Sequence, residues 1–300
     1  MIIQELEQKG LIRPPTWLAS NTHYLTLVGS IAYAAEDTTK QSDFDLYGFC
    51  IPKKEIVFPH LTGVIKGFGW QGENFEQWQK HHIFDKDALN GRGREYDLQI
   101  FSIIKYFNLL IENNPTVIDS LFTPRECVLH CTEIGNMVRD NRKLFLSKKC
   151  WAKYKGYAMS QIHKMAGKER SGKRKEIRER YGYDLKFGLH VVRLLYEAEM
   201  ILKEGDLDLR RHKEHLKAIR RGEWTEEQVR KWAAEKEFEL EKAFAESKLP
   251  EKPDEHLIKN LLVRCLEFHY GKLNDEDVVL RDKSSILLKQ IKKMLEENGV

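Results

Sequence analysis

Two short runs hold the residues whose types and spacing best suit chemistry. In the first, the apolar β-type segment Tyr24 to Val28 ends in Gly29-Ser30, and Ile31 to Ala35 suits a short helix after it. Strand, glycine turn and helix N-terminus together make a phosphate cradle, because unpaired backbone N–H groups converge there. In the second, Asp43 and Asp45 sit two apart in a strand-like run that continues to Ile51. A period of two puts both carboxylates on one face and Phe44 and Leu46 on the other. Ionised carboxylates that close repel each other unless a cation lies between them, and hard oxygen donors suit magnesium. The pair therefore implies a metal.

These residues need a sheet to position them. Residues 1 to 20 read as a short helix and an irregular lead-in around Pro14-Pro15, and Glu36 to Ser42 as a polar loop between the two strands. From Pro52 to Gly93 glycines break up any pattern, which predicts an irregular insertion with short strands and a mobile loop near the site. Alternation returns at Tyr96 to Phe101, with Leu98 and Ile100 toward the core and Asp97 and Gln99 on the opposite face. Ser102 opens an apolar helix that stops before Asn113-Asn114-Pro115, and a second short helix covers Thr116 to Phe122. This alternation is of α/β type.

Beyond Cys131 no strand is evident. Helices are expected from Trp151 to Met165, from Asp184 to Glu204 with Gly205 as the stop, and from His212 to Arg221. A capping box at Thr225 opens another to about Ser247, one runs from Pro253-Asp254 through His269, and Ser285 opens the last. A basic loop, Gly167 to Arg180, joins the first two. The expected fold is thus α+β/α/β: a small mixed sheet with flanking helices over residues 1–135, interrupted by the insertion at 52–93, then an α-helical domain over 136–300.

Composition narrows the function classes. A 32% share of charged residues fits long helices with wet outer faces, and a net charge of +4 is too mild to demand a general polyanion-binding surface. Any nucleic-acid contact must come from local patches, and Lys168, Arg170, Lys173, Arg174 and Lys175 form one; an ordinary solvated loop is the competing reading. The five cysteines form no C-x-x-C pair, and Cys127, His130 and Cys131 lack a nearby fourth ligand for structural zinc. The acidic N-terminus carries no signal-peptide core, and no apolar run is long enough to span a membrane, so a soluble cytoplasmic protein is expected.

The helix from Asp184 is apolar at nearly every position, yet Lys186, His190, Arg193 and Glu197 recur at steps of four, three and four. They form one narrow stripe. Such a stripe either lines a polar cleft or faces water. In the first case Lys186 and Arg193 would hold phosphates, and Tyr157 and Gln161, one turn apart on the preceding helix, would line the same cleft.

Gly29-Ser30, a gap of twelve residues, then Asp43-Phe44-Asp45 resembles the signature of the DNA polymerase β-like nucleotidyltransferase superfamily. Further runs narrow this likeness: Asp97 before Ser102 to Phe107, Asn114-Pro115, Tyr157-Ala158-x-x-Gln161, Lys186-x-x-x-His190-x-x-Arg193 and the Gly205-Asp206-Leu207 turn. In this order they are similar to the RNA-repair-pathway polymerase β-like branch, over about residues 20 to 270. The resemblance implies a nucleotidyltransferase moving NMP from an NTP, ATP favoured, to an RNA end by a two-metal mechanism with Mg2+ or Mn2+. It implies a third metal-binding carboxylate in a later strand, which points to Asp97 beside Asp43 and Asp45, with Glu95 as fallback. A structural alternative has Asp97 merely answering Arg92 or Arg94. Ser30 would bind the triphosphate through its N–H and hydroxyl, Gly29 letting that backbone come close. Transfer to a protein hydroxyl or to a small molecule such as an aminoglycoside is the alternative, and a non-enzymatic RNA- or nucleotide-binding module a further one.

Overall fold

The computed structural model describes residues 1–35, 43–62, 74–166 and 173–271, the side chains of 166 and 173–175 excepted. Its five strands are β1 Thr22–Leu27, β2 Phe44–Cys50, β3 Gln77–Asp85, β4 Arg94–Ser102 and β5 Val128–Cys131. They form one mixed sheet in the order β3-β4-β2-β1-β5. Only β2 and β4 run parallel; the other neighbours are antiparallel. The helices of seven residues or more are α1 Ile2–Gln8, α2 Ile103–Ile111, α3 Pro115–Phe122, α4 Glu133–Asp140, α5 Lys149–Ala166, α6 Lys173–Tyr181, α7 Leu185–Glu204, α8 Lys213–Arg220, α9 Glu226–Glu246 and α10 Glu255–Tyr270.

Local chemistry explains most helix ends. Ser102 accepts from the N–H of Lys105 to start α2, and Asn114 accepts from that of Val117 with Pro115 in the first turn of α3. Thr225 and Gln228 form a reciprocal capping box for α9. Gly205 closes α7 at φ +61°, a conformation glycine adopts without steric cost.

Alternation divides the sheet into two buried layers. Leu25, Leu27, Leu46, Leu98 and Ile100 face one way, onto Ile3 and Leu6 of α1 and Leu18 of the lead-in. Tyr24, Phe49 and Phe101 face the other way and join a larger core that runs through α2 and α3 into α5, α7 and α9. This second face is apolar toward the C-terminal ends of β2 and β4. Toward their N-terminal ends it carries acids.

Three expectations need correction, and one strand was not anticipated. Ile31 to Ala35 is not a helix: the N–H groups of Tyr33 and Ala35 bond to the carbonyls of Gly29 and Ser30, but Ala34 at φ +50° ends the run after one turn. Part of the presumed irregular insertion is the nine-residue strand β3, an edge strand exposed on both sides for most of its length and hence without alternation. The short strand β5 pairs with β1. Within the presumed basic loop, residues 173–181 are helical. The spacer 36–42, the glycine-rich part of the insertion at 63–73, Lys168, Arg170, the side chains of Lys173, Arg174 and Lys175, and the helix expected from Ser285 lie outside the described residues. No helix of the described residues is long and apolar enough to cross a membrane.

Candidate active site

Register makes the site. In the parallel β2–β4 pair, Asp45 stands directly beside Asp97, and Leu46 beside Leu98. Side chains alternate between faces, so the two leucines are buried in one layer while the two aspartates share the other face. Two positions earlier, Asp43 just ahead of β2 and Glu95 on β4 fall toward that same face. Four carboxylates thus meet where β2 and β4 begin.

The glycine turn is packed against them. The N–H of Val28 donates to the Asp45 carbonyl at 2.8 Å. A Cβ added to Gly29 would lie 2.7 Å from the Asp45 Oδ2, and Gly29 has φ +72°, so glycine is required for both space and backbone. The carbonyls of Gly29, Ser30 and Ile31 accept bonds from within the turn. The N–H groups of Gly29, Ser30, Ile31 and Ala32 have no acceptor among the described residues. They are the unpaired donors that open any helical turn, and they suit an anion.

A third wall comes from β3. Lys80 pairs with Leu98 and Ile83 with Tyr96, so His81 and His82 together oppose the single residue Asp97. This bulge, with His82 at φ +55°, turns both histidines toward the acids. The His82 N–H donates to Asp97 Oδ1 at 2.7 Å, its ring Nδ1 lies 2.6 Å from Glu95 Oε1, and His81 Nδ1 lies 3.6 Å from Asp97 Oδ2. Ligand atoms of His82, Glu95 and Asp97 lie within 4.8 Å of one another, close enough to share a metal ion. Sequence reasoning missed both histidines; their only signal was an adjacent His-His pair in a stretch with no strand pattern.

The electrostatics follow from this crowding. Burial pushes the Asp45 carboxyl up to about 6; Lys186 draws it down, Asp97 and Asp43 raise it further, and His81 opposes them. Asp43 is raised by burial, then by Glu95 and Asp97, against Lys186 and His82. The bond to Glu95, then Asp97, raises the His82 imidazole. Burial, then Asp45, Asp97 and Tyr157, pushes the Tyr47 phenol up to about 12. An unoffset excess of carboxylates on a half-buried face is what a divalent cation neutralises, so the donor set fits hard metal ions.

Of the other sequence candidates, Lys186 is exposed in the first turn of α7, where its charge acts on both Asp43 and Asp45. Tyr157 on α5 is exposed and accepts a bond from Asn114 Nδ2 at 3.3 Å. Gln161, His190 and Ser30 are half-buried. Arg193 is a correction. The residue is only 8% exposed, and its guanidinium bonds to Asp119 Oδ2 at 2.5 Å, to both Glu197 carboxylate oxygens at 2.8 and 2.9 Å and to the Tyr33 hydroxyl at 2.9 Å. It therefore presents nothing to a phosphate. The stripe on α7 splits, Lys186 facing the acids while Arg193 and Glu197 are buried, because Asp119 of α3 packs against its lower half.

A family model described as the RNA repair pathway DNA polymerase beta family matches residues 8–264. The chain belongs to this family. It is accordingly a polymerase β-like nucleotidyltransferase, of a class that generally uses divalent metal ions, nucleoside triphosphates and RNA. The match spans the sheet, the acids and the helices through most of α10. No curated protein sequence matches the chain. Among solved structures, a nucleotidyltransferase-like protein from Exiguobacterium sibiricum 255-15 is similar at 11% identity and a TM-score of 0.28, covering 99% of this chain and 90% of that one. That likeness is too loose to bear on activity.

Proposed function

We propose that this nucleotidyltransferase moves NMP from an NTP, ATP favoured, to an RNA end, with Asp43, Asp45 and Asp97 as its metal-binding acids. The observation that carries the reading is the in-register pair Asp45 and Asp97 beside the unpaired N–H groups of the Gly29 turn. Two divalent ions, when bound, would offset charge on the attacking and leaving oxygens. Glu95 and His82 stand ready to share one of them.

The protein's own groups would do the rest. The turn N–H groups and the Ser30 hydroxyl bind the triphosphate, and Lys186, whose charge already acts on Asp43 and Asp45, adds a cation. An acceptor hydroxyl oxygen gives up its proton to solvent and bonds to the α-phosphorus as the bond to the bridging oxygen breaks and pyrophosphate leaves. Tyr157, Gln161 and His190 would line the acceptor side, and Lys168, Arg170, Lys173, Arg174 and Lys175 would meet RNA phosphates. In this reading residues 1–135 supply the chemistry and residues 136–300 the remaining walls.

Incubation of the full chain with each α-labelled NTP, Mg2+ or Mn2+, and either RNA or protein tests this. Label on RNA that disappears with Asp45→Asn is the expected result. Label on protein, or on a small molecule such as an aminoglycoside, would transfer the same chemistry to that acceptor. Turnover unaffected by Asp45→Asn would remove the catalytic assignment.

A further inference from the structure

Three internal backbone bonds shape the turn that bears the unpaired N–H groups, and its aliphatic side chains add none. Ile31, Ala32, Ala34 and Ala35 have no polar side chain, and Ala34 sits at φ +50°, a left-handed conformation that disfavours any residue with a Cβ. Three arginines of the helical part reach it instead. Arg210 Nε donates to the Ala32 carbonyl at 3.2 Å, and Arg220 Nη1 donates to the Ala35 carbonyl at 2.8 Å. Between them, Arg193 Nη1 donates to the Tyr33 hydroxyl at 2.9 Å, with its guanidinium 4.7 Å from the Tyr33 ring centre. The partners are 160 to 185 residues apart in sequence.

We propose that Arg193, Arg210 and Arg220 are positioning residues, a clamp from the helical part that sets the turn's backbone for nucleotide binding. The inference rests on the reading that this turn binds the triphosphate. Two of the contacts bracket the strained Ala34, so the left-handed residue is pinned on both sides. The same contacts occupy the carbonyls of Ala32 and Ala35 with cationic donors, which leaves the N–H groups of Gly29 to Ala32 as the unpaired polar edge of the turn. Two of the three arginines are themselves anchored. Asp119 and Glu197 hold Arg193, and Glu126 and the Cys127 thiol hold Arg210. The buried carboxylate of Asp119 also accepts from the Tyr33 hydroxyl at 2.6 Å, which closes the network around the turn.

None of the three touches the acids, so a clamp predicts a specific kinetic pattern. In the transfer assay with the full chain and saturating RNA, Arg210→Met with Arg220→Met should raise KM for the NTP about tenfold, about 1.4 kcal/mol of binding lost because the turn is no longer held in place. The turnover number should change little and the melting temperature by only a few degrees. Arg220→Lys should restore most of the loss, since an ammonium still donates to one carbonyl. An unchanged KM, or a fall in turnover number with KM intact, would overturn the clamp. Should the double variant fail to fold, the two single variants give the same reading. If wild-type protein shows no turnover, equilibrium dialysis with Mg-ATP decides: weaker retention by the variants upholds the clamp, whereas equal retention, or none by wild type, overturns it. Loss of transfer with Asp45→Asn together with an unchanged KM for the NTP in the arginine variants would sink this inference while leaving the proposed function standing.

Discussion

Replacing Asp45 by Asn should abolish transfer and yet make the metal-free protein more stable. Burial, with Asp97 and Asp43 adding to it against Lys186, raises the Asp45 carboxyl from 3.8 to about 6. A raised carboxyl pKa means that the folded state favours the protonated form. The associated stability is therefore complete below the unfolded value of 3.8 and is lost as pH rises through about 6. At 1.36 kcal/mol per pKa unit, the ionised side chain costs about 3 kcal/mol at pH 8, shrinking to about 1 kcal/mol at pH 4.5. Asn has nearly the same shape and no charge, so Asp45→Asn should recover about that much at each pH. The assay is urea unfolding in EDTA at pH 8 and at pH 4.5, for wild type and variant. A midpoint rise at pH 8 that shrinks at pH 4.5 is expected. Added Mg2+ should stabilise wild type at pH 8 more than the variant, because the ion binds only the folded acids. A variant no more stable than wild type at pH 8, or a gain independent of pH, would refute the account of a crowded, cation-requiring face.

Gly29→Ala should cut single-turnover transfer by roughly 100-fold or more, because its Cβ would fall 2.7 Å from Asp45 Oδ2 and push the turn toward the ~1 Å misplacement that catalysis does not tolerate; a small loss would mean that the turn is remote from the chemistry. Arg193→Met strands the buried carboxylates of Asp119 and Glu197 and should lower unfolding free energy by about 3–5 kcal/mol, read by urea denaturation. His23, whose imidazole burial pushes down to about 4 with help from His269 and His130, bonds to His269 Nδ1 at 2.9 Å. Because the folded state resists taking that proton, about 3 kcal/mol of stability should vanish between pH 6.5 and pH 4, and His23→Gln should flatten that part of the pH–stability curve.

The chain's own order of residues was enough to reveal whatever depends on neighbours a few positions away. Asp43 and Asp45 share a face because strands repeat every two residues, and Asp97 was marked by the same alternation between Leu98 and Ile100. Ser102, Asn114, Thr225 and Gly205 bound their helices through contacts within about four residues. Gly29-Ser30 identified its turn, and with the acids it led to the family.

What escaped was set by partners far along the chain. β3 lies exposed at the sheet edge and leaves no apolar alternation to read, so the bulge that turns His81 and His82 onto Asp97 arises only from pairing with β4. Arg193 looked like a phosphate ligand because its nearest neighbours permit it, but Asp119, 74 residues away, buries it. Asp119 itself was a visible oddity, a lone acid among Val117, Ile118, Leu121 and Phe122. Ile31 to Ala35 has the composition of a helix yet stops at one turn, its carbonyls taken by Arg210 and Arg220. Local pattern decides which groups are present and which way they point along one element. Which charges meet, and which are left for a ligand, is decided by register and packing, since an ion pair forms wherever the folded chain brings two groups together, however many residues separate them.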